Sequence, residues 1–141
     1  MKTDKLHVYL DACFVIAFLI DGHADNSEAI SIYKKIKSDK LYVSLFVLDE
    51  VLYILSKYGI DKSTACQLVE KFIKLENLEV IDENFIVHNV EQFIDIYSKT
   101  TLKPTDSAHL YYMKLAKIKN IATFDSDFIK NADKLDIEVV S

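Results

Sequence analysis

A chain of 141 residues, half of them apolar, is the size of one ordinary domain and can bury a core without help from disulfides. Its two cysteines, Cys13 and Cys66, have neither CxxC spacing nor nearby histidines, which speaks against a disulfide scaffold or a zinc site and fits a reducing, cytoplasmic setting. All 17 basic residues are lysine and the formal charge is −5, so guanidinium clamps on phosphate or guanine are excluded and any backbone contact falls to lysine point charges.

Along the chain, the opening Met1–Ile20 imitates a signal peptide, but Asp11 interrupts the apolar run and no small-residue cleavage site follows. No apolar stretch approaches the roughly 18 residues of a membrane span. Leu6–Leu10 reads as a buried strand that leads into a helix. Asp25 or Asn26 starts a second helical pattern over Ser27–Lys37, Leu41–Leu45 is the next strand, and Phe46–Lys57 the next helix. Asp61 introduces Lys62–Glu76, Leu78–Ile81 is a third strand, and Asn84–Ser98 a further helix. Pro104 stands ahead of the helix Thr105–Lys117, Asn120–Phe124 is a fourth strand, a short helix starts near Ser126, and Ile137–Val140 closes the chain. Only Gly22, Gly59 and Pro104 break the chain strongly, so residues 1–141 are expected to form a single domain. Short apolar strands alternating with long helices predict the α/β class, a mainly parallel sheet of about five strands with helices on both faces.

In such sheets ligands gather at the carboxyl ends of the strands, near a switch point. Asp11 directly follows the first strand and Asp125 the fourth. Glu50 falls in the first turn or so of the helix after the second strand, and Asp106 in the first turn of the helix opened by Pro104. Four acids thus converge on one edge if the sheet is parallel. Such a cluster cannot ionise fully without a cation. A hard, oxygen-only ligand set suits Mg²⁺ or Mn²⁺. Such ions activate water and polarise phosphoryl oxygens, which makes phosphodiester hydrolysis the natural reaction class. With one or two such ions bound, about two to four of the five formal negative charges are cancelled, so the net charge does not exclude an RNA partner.

Each acid also has an ordinary reading. Asp106 can be a first-turn acid favoured by the helix dipole, and Asp125 a cap for the following helix. Glu50 in VLDEVLYIL and Asp11 between LHVYL and ACFVIAFLI are harder to explain, because charge in an apolar run needs compensation. His109, one turn after Asp106, reads as a partly buried structural histidine, and His7, His23 and His88 have no matching partners. Tyr111 and Tyr112 read as packing residues rather than base-stacking platforms. Lys34, Lys35, Lys37 and Lys40 form either a solvated helix face or an RNA track. Val51, Leu52 and Leu55 read as core, with a partner face as the alternative.

Four segments together resemble the PIN-domain ribonucleases, particularly the VapC-type toxins: VYLDACFVIAFL, SLFVLDEVLYIL, LKPTDSAHLYYMKLA and IATFDSDF. They stand in the family's order, about 40, 55 and 20 residues apart, and cover nearly the whole chain. The resemblance implies a PIN-like fold, a metal-dependent endoribonuclease, and Asp11, Glu50, Asp106 and Asp125 at the four acidic positions. It adds Asp127 as an outer-shell residue or further ligand, and Thr123 as a hydrogen-bond donor to a carboxylate or to water. It also implies translation inhibition by RNA cleavage, an antitoxin that blocks the pocket, and a homodimer; a non-toxin RNA-processing nuclease and a non-cleaving RNA- or partner-binding domain are the alternatives. Two departures are visible. Ala12 and Cys13 stand where the family has hydroxyl residues, and Asp49, expected to face solvent, stands where a small residue is common. Rival classes fit less well. Haloacid-dehalogenase-like phosphatases need an Asp where Cys13 stands, and receiver domains need an acidic pair that the strand ending at Leu10 lacks.

Overall fold

The computed structural model describes residues 4–81 and 90–141. The first strand, β1 (His7–Leu10), buries Val8, Tyr9 and Leu10 in succession. Successive strand residues point to opposite faces, so burial of all three requires that both faces be covered. One residue separates β1 from α1 (Ala12–Leu19), and α2 (Asn26–Ile36) returns the chain to β2 (Lys40–Val43). Then follow α3 (Leu45–Lys57), α4 (Lys62–Ile73) and β3 (Leu78–Val80). The described part of the next segment is the helix α5 (Val90–Lys99), followed by α6 (Pro104–Leu115) and β4 (Asn120–Ala122). The chain ends with α7 (Ser126–Leu135) and β5 (Glu138–Val139). The start of the helix expected over Asn84–Ser98, and His88 with it, lies outside the described residues.

The five strands are all parallel, in the order β3-β2-β1-β4-β5. From β1 the chain winds outward through β2 to β3, then crosses to the other side of β1 and winds outward again through β4 to β5. Right-handed crossovers in opposite directions put α1–α4 on one face and α5–α7 on the other. The helix contacts agree, α1 packing on α2 and α3, α3 on α4, and α5 on α6. The switch point lies between β1 and β4, where both outgoing connections leave a crevice at the strands' carboxyl ends. This is the α/β architecture expected from the strand–helix alternation.

The junctions are tighter than the sequence pattern suggested. β2 ends at Val43, two residues early, because the buried Ser44 caps α3 by accepting from Val47 N at 3.3 Å. Leu45 therefore opens the helix, 56% exposed, instead of ending the strand. Glu50 consequently sits at the start of the second turn of α3, just past the first. β4 likewise stops at Ala122, leaving Thr123 and Phe124 to form the turn into α7. Val51 and Leu55 point into the core, whereas Leu52 is exposed. Tyr111 and Tyr112 are buried as packing residues, and Lys34, Lys35, Lys37 and Lys40 are exposed.

Because Leu10 is 1% exposed and Leu6, just outside the strand, 46% exposed, their truncations separate core from surface. Leu10→Ala is expected to cost about 2–5 kcal/mol in urea unfolding, and Leu6→Ala no more than about 0.5 kcal/mol.

Candidate metal centre

Asp11 directly follows β1 and is the N-cap of α1. Its backbone N–H donates to Ala122 O at 3.0 Å, continuing the ladder with β4, while its Oδ1 accepts from Ala12 N at 2.8 Å. Its Oδ2 accepts from the Thr123 hydroxyl at 2.7 Å and from the Cys13 thiol at 3.2 Å. Three donors thus fix a buried carboxylate. The Cys13 sulfur in turn accepts from Phe124 N at 3.2 Å, and Thr123 Oγ1 accepts from Asp125 N at 2.9 Å. Burial first, and Asp11 next, push the Cys13 thiol up to about 12, so it stays a neutral S–H donor. Donors to Asp11 are therefore present despite the missing hydroxyls after it: a thiol at Cys13 and a hydroxyl from the β4–α7 turn.

Asp106 occupies the first turn of α6, behind Pro104 at its start, and is 9% exposed. Asp125 caps α7, its Oδ1 accepting from Asp127 N at 2.8 Å. Asp106, Asp125 and Asp127 each turn a carboxylate oxygen inward, and these oxygens lie within 4.8 Å of one another. Among the described residues this is the one group of three or more such side chains close enough to share an ion. Burial raises the Asp106 carboxyl to about 7, and the charges of Asp125, Asp11 and Glu50 push the same way while His109 opposes them. Asp11 and Glu50 are therefore electrostatic members of the site although they stand outside the triad.

His109 is wholly buried, not partly so as its sequence context suggested. Its Nε2 bonds to Glu50 Oε1 and lies 3.7 Å from Asp11 Oδ1, while its Nδ1 meets the Tyr9 hydroxyl at 2.6 Å. That hydroxyl is 2.8 Å from Ser44 Oγ. Burial opposes a charge on the ring, but the Glu50 bond and the Asp11 charge outweigh it and raise its pKa. The spacing Asp106-x-x-His109 places both side chains on one helix face, a signal present in the sequence. Tyr9 and Ser44, buried in a strand and a junction, carried no such signal. Asp49 is exposed, and His7 and His23 lie away from the acids, His7 stacked on Tyr42 and His23 accepting from Asp25 N.

An oxygen-only triad, one member of which resists ionisation because it is buried and stands beside other acids, fits a hard divalent cation. The linkage has a definite sign. A carboxyl whose folded-state pKa is raised to about 7 stabilises the fold fully below its unfolded value near 4, and that contribution is lost as pH rises to 7. In EDTA the melting temperature is therefore expected to fall between pH 5 and 8, and Mn²⁺ to restore it at the higher pH. Asp106→Asn is expected to flatten both responses in differential scanning fluorimetry.

Comparison with known proteins agrees with this architecture. VapC20 of Mycobacterium tuberculosis, described as a sarcin–ricin-loop-cleaving toxin, superposes with a TM-score of 0.67 at 18% identity, over 87% of this chain and 93% of that one. VapBC2 of Rickettsia felis, solved bound to a DNA fragment from its promoter, gives 0.66 at 14% identity, over 95% and 97% of the two chains. FitAcB of Neisseria gonorrhoeae gives 0.63 at 14% identity, over 95% and 96%. These likenesses establish the fold. No curated protein matches the sequence. The PIN domain family profile matches residues 8–134, and the chain belongs to the PIN domain family.

Proposed function

We propose that the protein is a divalent-metal-dependent endoribonuclease and the toxin of a toxin–antitoxin pair. The observation that carries the nuclease reading is the carboxylate triad at the β1–β4 switch point, with Asp106 unable to ionise freely beside Asp11, Glu50 and Asp125. Asp106, Asp125 and Asp127 would hold Mg²⁺ or Mn²⁺. Asp11 and Glu50 add negative charge around it, and Thr123 keeps Asp11 oriented. The bound ion supplies positive charge that makes water more acidic and steadies the phosphoryl oxygens. Hydrolysis places a water oxygen on phosphorus and leaves a proton on the departing oxygen. Of the two acids outside the triad, Glu50, whose side chain is 33% exposed where that of Asp11 is 6%, is the one that water can reach and is suited to orient it. With no arginine in the chain, phosphate contacts fall to lysines; Lys103 flanks the first turn of α6 and Lys130 lies on α7.

The toxin reading is supported by family membership together with the description of the VapC20 neighbour. A cognate antitoxin that covers the acidic pocket and a homodimer belong to the same reading. Leu45, Phe46, Leu52 and Tyr53, all exposed on α3, offer an apolar face for either contact. No helix among the described residues is long and apolar enough to cross a membrane.

Cleavage of a structured RNA in Mg²⁺ or Mn²⁺ is expected to stop in EDTA and to fall at least about 100-fold in Asp11→Asn and in Asp125→Asn. Cleavage that continues unchanged in chelator or in either variant overturns the mechanism. A wild type that binds Mn²⁺ and leaves RNA intact selects the non-cleaving alternative. For the toxin half, induced wild type is expected to arrest translation and Asp125→Asn to spare it; growth indifferent to active protein leaves an RNA-processing nuclease.

A further inference from the structure

We infer that His109 is a positioning residue, the end of a hydrogen-bond chain that starts at the α3 cap and holds Glu50 outside the ligand triad of Asp106, Asp125 and Asp127, committing Glu50 to water or substrate. The inference rests on the nuclease reading and adds to it a division of labour among the acids. A histidine buried completely must satisfy both ring nitrogens or lose stability. Here one partner is structural and the other is a site acid. Val47 N–H donates to Ser44 Oγ at 3.3 Å, Ser44 Oγ meets Tyr9 Oη at 2.8 Å, and Tyr9 Oη meets His109 Nδ1 at 2.6 Å. On the far side, Nε2 bonds to Glu50 Oε1.

A carboxylate only accepts, so Nε2 carries the proton whether the ring is neutral or charged. Tyr9 can donate to Nδ1 or accept from it, so the anchor on Glu50 survives either ring state. The chain joins β1, the α3 cap and α6, three of the segments that carry Asp11, Glu50 and Asp106. With Oε1 engaged, Glu50 has one oxygen left for the crevice, whereas Asp106, Asp125 and Asp127 share oxygens close enough for one ion. A purely structural histidine would have no need to end on a half-exposed acid of the site.

The test measures Mn²⁺ affinity, by the electron paramagnetic resonance signal of free Mn²⁺, alongside kcat and KM on one RNA. Losing a residue that orients a metal-site group typically costs about 10–100-fold, so His109→Leu is expected to lower kcat by that factor with KM and Mn²⁺ Kd held within about twofold. Asp127→Asn is expected to weaken Mn²⁺ by at least about tenfold. His109→Gln, whose amide nitrogen can still donate to Glu50, is expected to recover most of kcat. Should His109→Leu not fold, Tyr9→Phe, which removes the support behind Nδ1, is expected to show the same split at smaller size. Mn²⁺ binding weakened as in Asp127→Asn, a kcat equal to wild type, or a glutamine variant no better than leucine overturns the inference. If wild type cleaves no RNA the nuclease reading fails by itself, and nitrogen NMR of the metal-free protein decides the positioning claim. An Nε2-bound proton that shifts in Glu50→Gln and in Tyr9→Phe upholds it, and its absence overturns it.

Discussion

Negative charge gathered at one edge of a parallel sheet is the constraint to which the rest of the molecule answers. Like-charged carboxylates a few ångströms apart repel, and burial deepens the penalty by removing water. The fold meets this with fixed donors and not with flexibility: backbone N–H groups at the starts of α1 and α7, the Thr123 hydroxyl, the Cys13 thiol and the His109 ring. Asp11 and Asp125 are both helix caps, so the positive ends of α1 and α7 point at the charge they carry. What those donors leave uncompensated is felt chiefly at Asp106, whose carboxyl is pushed up to about 7 by burial and by the acids around it.

The same constraint explains how much could be read from the chain. Strand and helix identities follow from local periodicity, and with a parallel sheet the positions of Asp11, Glu50, Asp106 and Asp125 follow from topology, since the carboxyl end of a strand and the amino end of the next helix face one edge. Helix ends and strand ends were less legible. Ser44 and Thr123 cut β2 and β4 short through side-chain hydrogen bonds that compete with the ladder, a choice the apolar pattern does not record.

What the sequence left unread was the support behind the acids. Tyr9 looks like any core aromatic, yet its hydroxyl reaches a residue 100 positions away; Thr123 was singled out by the motif resemblance alone, and it meets Asp11 over a separation of 112. Such partners meet only because β1 lies between β2 and β4, and no window along the chain contains them. His109 was visible as a neighbour of Asp106 on one helix face, but which acid it serves is decided by α3, a different element. Cys13 shows the converse. Its sulfur occupies the place of an expected hydroxyl, and only its contacts reveal that a thiol can do the same hydrogen bonding.

The one-residue junctions at Asp11 and Ser44 also bear on how this chain can change length. An added residue at either point would turn the following helix by about 100° and lift it by about 1.5 Å, carrying Glu50 off His109 or α1 off its cap. Insertions and deletions are thus barred from the carboxyl edge of β1 and β2. Length variation in descendants of this sequence has room instead at exposed turns far from the acids, such as the one at Gly59, whose added side chain would meet open space but whose backbone, at φ +79°, favours glycine itself.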